Sequence, residues 1–412
     1  PSKMLIQAAT AANHVRDAEK FHLDTSLDEV DFASIVDDMD ETLSVLADEM
    51  NNSYQEKDHL TMYRDEAMFV DERTVAVDGQ EVSGEKVVVA AGSRPLVPPI
   101  DGLDDVEYLT STEALYLRDQ PESLVILGGG YIAVELGYFF ESLGTDVTIV
   151  EMMDTLVPRE DADVAETFTD IASKRHDVHT GYRASEVEAL DDSVIVHAEN
   201  EVGETIAVKG SELLVALGRR PNTDTLAVEA AGIETDDNGF IVTNDRLETS
   251  AANVWAQGDI ADNAMFKHSG DYETQVTIDN VVHDENRETD FTAMPHAIFT
   301  EPQMAGVGQT EADLESSREY VVGRQELSET PMGRAKKVSE GFVKVLAAPN
   351  GEILGCHLLG HEASTMIHEV VVAMRAGSGS VSDISDTIHA HPTLNKVVEY
   401  AFQDAAAAAE LR

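Results

Sequence analysis

Apolar positions along the chain change period several times, and each change marks a different kind of element. Met4, Leu5, Ala8, Ala9 and Ala12 form one stripe, and Val30, Ile35, Met39 and Leu43 continue it, so residues 1 to about 46 are predicted to be helical. After about residue 58 the pattern shortens to strands at 74–77, 81–82 and 86–90, separated by the turn pairs Asp78-Gly79 and Ser83-Gly84. Lys86 opens the apolar run 87–90, which ends on Ala91-Gly92-Ser93-Arg94-Pro95, as a buried strand closed by a small-residue turn does.

A second unit runs from about 111 to 236 and opens on the apolar strand 123–127. A third restarts near Val254. A fourth, from Phe291 to the end, has strands near 296–299, 341–346 and 353–359 and a helix at 363–375, whose apolar positions Met366, Val370 and Ala373 suit a subunit contact. No short repeat occurs, and the run Ala405 to Ala409 is helix-prone filler.

The chain has 412 residues, enough for several domains, and 42% of them are hydrophobic, enough to fill a core in each. Asp and Glu number 79 against 28 Lys and Arg, for a formal charge of -51. That balance repels nucleic acid and anionic membranes. The carboxylates lie within segments of regular apolar periodicity, so they are expected on a solvated surface and not in a disordered tail. Self-repulsion on this scale weakens a compact state at low salt, where the Debye length is roughly 30 Å at 0.01 M against roughly 3 Å at 1 M. A halophilic protein is expected. No apolar run reaches membrane-spanning length and no signal-peptide pattern appears, which points to a cytoplasmic protein. Cys356 is the single cysteine, so these residues hold no disulfide and no cysteine-based metal site. The start on Pro1, without Met, points to a further segment upstream.

One stretch carries recognisable chemistry. The strand 124–127 runs into Gly128-Gly129-Gly130-Tyr131-Ile132-Ala133, a helix follows to Leu143, and the strand 147–150 ends on Glu151. In a dinucleotide site Gly128 makes the tight turn, Gly130 lets the backbone approach the pyrophosphate, and Ala133 lets the helix pack on the strand. The helix N-terminus faces the anion. Taken alone the glycines could be a structural turn; the strand, helix and acidic residue in order make them a nucleotide site. Glu151 can accept from the ribose hydroxyls of NAD and would repel the phosphate of NADP, so NAD is preferred.

With these motifs the whole chain resembles the class I pyridine nucleotide-disulfide oxidoreductases, which include dihydrolipoamide dehydrogenase, glutathione, mycothione and mercuric reductases. Pro1-Ser2-Lys3 looks like the tail of the family's redox motif, which would put both redox cysteines before Pro1. Ala90-Ala91-Gly92-Ser93-Arg94-Pro95 resembles the turn closing the first flavin segment, and Ala216-Leu217-Gly218-Arg219-Arg220-Pro221-Asn222-Thr223 the end of the nicotinamide domain. Val254-Trp255-Ala256-Gln257-Gly258-Asp259 resembles the second flavin motif, and His389-Ala390-His391-Pro392-Thr393-Leu394 the C-terminal His-Pro motif.

The resemblance implies an α/β fold: two doubly wound Rossmann-like domains, for FAD and NAD(P), and a C-terminal α+β dimerisation domain. Its boundaries would be 1–112 and 239–290 for FAD, 113–238 for NAD(P) and 291–412 for the interface of a homodimer. FAD and NAD are the implied cofactors, with Gly92, Gly218, Gly258 and Asp259 at the cofactor sites and no resident metal. His391 is the implied base, because a thiol with pKa near roughly 8.5 needs one at neutral pH. The family's orienting glutamate five residues on is here Lys396, so Glu399 or a backbone carbonyl would hold the imidazole instead. Lys3 and Glu135 resemble the ion pair beside the reactive flavin edge; sequence alone makes each a surface charge. His268 is expected to pack near the cofactor, Cys356 to be a core thiol, and His357, His361 and His368 to match no zinc spacing. Dihydrolipoamide dehydrogenase is the expected activity. Reduction of a small thiol disulfide of the mycothione or bis-gamma-glutamylcystine type is the alternative, mercuric reductase fits less well, and a nucleotide-binding protein without catalysis is the reading from another class.

Overall fold

The computed structural model describes residues 1–315 and 317–411, which form two compact units. One combines Pro1–Leu43, Val97–Leu217 and the chain from Ala293 onward; the other combines Ser44–Leu96 and Gly218–Thr292.

The first unit is built on a parallel sheet in the order Glu212–Val215, Ser123–Leu127, Asp146–Glu151, Asp177–Thr180. Leu124, Val125, Ile126 and Leu127 are all fully buried, which is why this strand is an unbroken apolar run and not an alternating one. The helix Tyr131–Leu143 lies on the sheet, and its Phe139 and Phe140 rings pack on Phe32 at 5.4 and 5.8 Å. Against that helix the chain's first helix, Ser2–Asp17, buries Leu5, Ile6, Ala9 and Ala12. An antiparallel sheet of Tyr182–Leu190, Ser193–Asn200 and Thr205–Gly210 completes this part.

The C-terminal part is an antiparallel sheet in the order Pro295–Ile298, Gln303–Gly308, Ile353–Gly360, Phe342–Ala347, Val321–Glu326. Helix Lys396–Ala408 sits so close to Gly323 that a Cβ there would be 2.3 Å from the Ala401 carbonyl oxygen. Helix Ala363–Ala376 turns Met366, Val370 and Ala373 into the same core as Val343, Val345 and Leu358. This corrects the expectation that those three face another subunit, since its outward positions are His368, Val372 and Arg375.

A buried ionic joint ties the two parts of this unit. Lys344 is 1% exposed, 2.8 Å from Asp161 and 3.0 Å from Asp163, and also paired with Glu311. Burial opposes its charge, but the three carboxylates more than offset that and hold the ammonium above its ordinary pKa.

The second unit contains the meander Ala67–Asp71, Thr74–Val77, Gln80–Ser83, the parallel pair Val254–Ala256 with Val87–Val89, and the antiparallel pair Arg219–Pro221 with Ser93–Pro95. Helix Lys267–Val282 follows the Gly258-Asp259 turn, and Phe69, Val89, Val254, Ala256 and Ile260 share a core.

Candidate functional site

In the first unit, strand Ser123–Leu127 ends on Gly128 with φ at +103°. A side chain there would be strained, and its Cβ would lie 2.5 Å from the Ala216 carbonyl oxygen, so only glycine turns the chain here. Gly130 is the N-cap of Tyr131–Leu143 and offers no side chain to the helix end; nothing lies within 4 Å of where its Cβ would be. Free N–H groups and open space are what a diphosphate requires. Ala133 is fully buried between helix and strand.

Glu151 is buried, and its two oxygens accept hydrogen bonds from the Gly129 amide at 2.5 Å and the Met153 amide at 2.7 Å. The carboxylate therefore staples the glycine loop to the end of its own strand, a role that spacing alone does not reveal. Each oxygen keeps a second acceptor position for a ribose hydroxyl.

At the start of the dinucleotide helix, the Tyr131 hydroxyl donates to Glu160 at 3.1 Å, and the other Glu160 oxygen meets His296 Nε2 at 2.9 Å. Burial and the Glu160 charge push the Tyr131 hydroxyl pKa up. Sequence reading missed this line because Glu160 and His296 are 136 residues apart. On the same helix, Glu135 is buried and takes the Lys3 ammonium at 2.5 and 2.7 Å and the Phe299 amide at 2.9 Å. The Lys3 charge also lies 4.6 Å above the Phe299 ring. These two are a built ion pair and not separate surface charges.

In the second unit, the Ser93 hydroxyl donates to Asp259 at 2.8 Å and accepts from Arg219 Nε at 2.7 Å, and Arg219 lies 3.8 Å from the Asp259 carboxylate. Asp259 remains a third exposed with its second oxygen free of hydrogen bonds among the described residues, which fits a ribityl hydroxyl of FAD. Gly92, Gly218 and Gly258 occupy left-handed turns around it. Glu273, fully buried, accepts the Gly258 amide at 2.5 Å; burial raises its pKa. Ser93 and Arg219 stand inside the motifs, whereas nothing in the sequence marks Glu273. His268 stacks on Phe266 at 5.4 Å.

Near the C-terminus, His391 is exposed, and among the described residues its imidazole has no hydrogen-bond partner. Glu399 does not hold it within this chain. That carboxylate is paired with Lys396, accepts from Gln403 at 3.2 Å and lies 3.4 Å from His389 Nδ1. His389 is nearly buried, with Nε2 at 2.9 Å from Glu369 and Nδ1 at 3.0 Å from the Thr387 carbonyl. Cys356 is buried in the sheet and burial raises its thiol pKa. His357 is a core residue bonded to the Gln309 carbonyl. Among the described residues Asp161, Asp163 and Glu311 are the one acidic group dense enough for a metal, and the Lys344 ammonium sits among them. No described helix is long and apolar enough to cross a membrane.

Residues 1–283 match the family model for pyridine nucleotide-disulphide oxidoreductase, and 294–402 the dimerisation domain of the same family. The chain is 34% identical to a dihydrolipoyl dehydrogenase of Haloferax volcanii over 98% of its own length and 87% of that protein's. It is 30% identical to a mercuric reductase of Staphylococcus aureus over 96% and 72%. Among solved structures, the Cu(II) complex of the HOCl-induced flavoprotein disulfide reductase RclA from Escherichia coli superposes with a TM-score of 0.86 at 27% identity, covering 98% of this chain and 88% of that one. With an open glycine loop at a helix N-terminus and family matches over nearly its whole length, the chain belongs to the pyridine nucleotide-disulphide oxidoreductases, flavoproteins that use FAD and NAD(P) to act on sulfur groups.

Proposed function

We propose that the protein is a homodimeric, NAD-linked dihydrolipoamide dehydrogenase of a high-salt cytoplasm. The observation that carries this is the near full-length likeness to a halophilic dihydrolipoyl dehydrogenase together with an exposed His391 in the His389-Ala-His-Pro-Thr-Leu string. Bound FAD supplies a two-electron carrier between the dithiol and the nicotinamide.

The chain's own residues supply binding, orientation and proton transfer. Gly128, Gly130 and the helix N-terminus receive the diphosphate of NAD, and Glu151 receives the ribose hydroxyls with the acceptor positions its backbone staple leaves open. Asp259 and the turns at Gly92, Gly218 and Gly258 orient FAD. Lys3 and Glu135 form the ion pair that the family resemblance implies at the reactive flavin edge. His391, reaching the partner subunit's site, takes the thiol proton so that the thiolate can attack. Over the cycle the dithiol loses two electrons and two protons, and NAD leaves as NADH with one proton released. Cys356 is buried and single, so the dithiol that relays electrons is proposed to lie outside these 412 residues.

The test is a steady-state assay of the full-length, FAD-loaded protein in multimolar KCl, with lipoamide in both directions and a panel of small disulfides. Lipoamide turnover with NAD, falling in His391→Ala by roughly two to four orders of magnitude as loss of a general base does, is expected. Turnover with a small thiol disulfide alone would move the protein to the reductases.

A further inference from the structure

We propose that Glu369 is a positioning residue for His391, holding the segment that carries it from both sides. This rests on the assignment of His391 as the base. Helix Ala363–Ala376 presents Glu369 beside the segment, and its neighbour Val370 is locked in the core, so the carboxylate projects from a rigid support. One oxygen, Oε2, meets His389 Nε2 at 2.9 Å; the other, Oε1, accepts from Asn395 Nδ2 at 2.9 Å. His389 stands two residues before His391 and Asn395 four residues after it. A single carboxylate therefore ties down both flanks of the turn while leaving the imidazole itself exposed.

Glu399 adds a second carboxylate on the His389 side of the clamp. Both ring nitrogens of His389 face acceptors only: Glu369 at Nε2, and at Nδ1 the Thr387 carbonyl at 3.0 Å and Glu399 at 3.4 Å. Glu399 in turn carries the Lys396 ammonium. The pocket thus gathers two carboxylates, Glu369 and Glu399, around the His389 ring, with the Lys396 ammonium on the second of them. This gives Lys396 a place. Where the family resemblance calls for a carboxylate on the base itself, this chain has a lysine, and orientation passes from the ring of His391 to the backbone on either side of it. Freezing a catalytic group on its support in this way is worth rate because a displacement of about 1 Å can cost on the order of 100-fold.

The experiment compares Glu369→Ala, Glu369→Gln and His391→Ala in the full-length, FAD-loaded enzyme, with dihydrolipoamide as substrate, NADH-driven reduction of ferricyanide as a reaction that needs no thiol base, and amide hydrogen exchange across 387–395. Glu369→Ala is expected to lower kcat for dihydrolipoamide roughly 10- to 100-fold with KM unchanged, to leave ferricyanide turnover unchanged, and to speed exchange in 387–395. Glu369→Gln, which keeps the reach but offers an acceptor to only one of the two flanks, is expected to recover part of both effects. Unaltered exchange in Glu369→Ala, or an equal loss in both turnovers, overturns the clamp. Full dithiol turnover in His391→Ala would overturn the assignment of the base and not the clamp, which the exchange measurement still decides.

Discussion

Burial and the neighbouring Arg175 guanidinium push the His176 imidazole down to about 4 from its ordinary 6.5, and its Nδ1 is shut from solvent without a hydrogen-bond partner among the described residues. The fold thus favours the neutral ring, and between those two values the unfolded chain binds more protons than the folded one. The contribution is complete above pH 6.5 and is lost as pH falls toward 4. His176→Gln is expected to flatten the fall of the thermal midpoint between pH 6.5 and about 4; a slope identical to wild type would show that the ring titrates alike in both states. His357 is depressed in the same sense by burial in the C-terminal sheet. At Glu151 and Glu135 the lesson is different: both are buried carboxylates satisfied by backbone amides, so each secures the main chain as well as any ligand it meets.

Single elements show what the sequence could and could not say. The strand Ser123–Leu127, its glycine turn and Glu151 were legible because a strand covered on both faces leaves an apolar run, and because a diphosphate loop constrains residue type at fixed spacing. Strand Ala67–Asp71 was not, because Met68 and Val70 are half exposed and blur the alternation that Phe69 alone keeps. The first helical stretch was foreseen as one run; it breaks at residues 22–31, and its second helix, Phe32–Gln55, carries on past the predicted end. The helix Ala363–Ala376 was placed correctly and its faces were exchanged, since apolarity marks a buried stripe without saying which surface buries it. Partners far apart in sequence, such as Glu160 with His296 or Glu369 with His389, leave no local signal at all. The two sides of that helix give a paired expectation. Val370→Ala should cost about 1–3 kcal/mol of stability by emptying a fully buried site. Val372→Ser, at a residue 62% exposed, should leave stability within about 0.5 kcal/mol, as thermal unfolding of the two variants would report.

For the molecule as a whole, a charge of -51 makes ionic strength the dominant external variable. Surface carboxylates repel one another over roughly 30 Å at 0.01 M salt and only roughly 3 Å at 1 M. The thermal midpoint is expected to climb steeply as KCl rises from 0.1 to about 1 M, where screening is nearly complete, and a midpoint indifferent to KCl would sink the halophilic reading. The joint around Lys344 answers to other rules. Its ammonium and Asp161 are shut from solvent, so salt screens that pair far less than it screens the surface. The ammonium is in effect a counterion tethered to the chain by covalent bonds, present at one equivalent whatever the bath contains. While the outer surface borrows its cations from the surrounding brine, the seam between the dinucleotide sheet and the C-terminal sheet carries one of its own, and dilution cannot remove it.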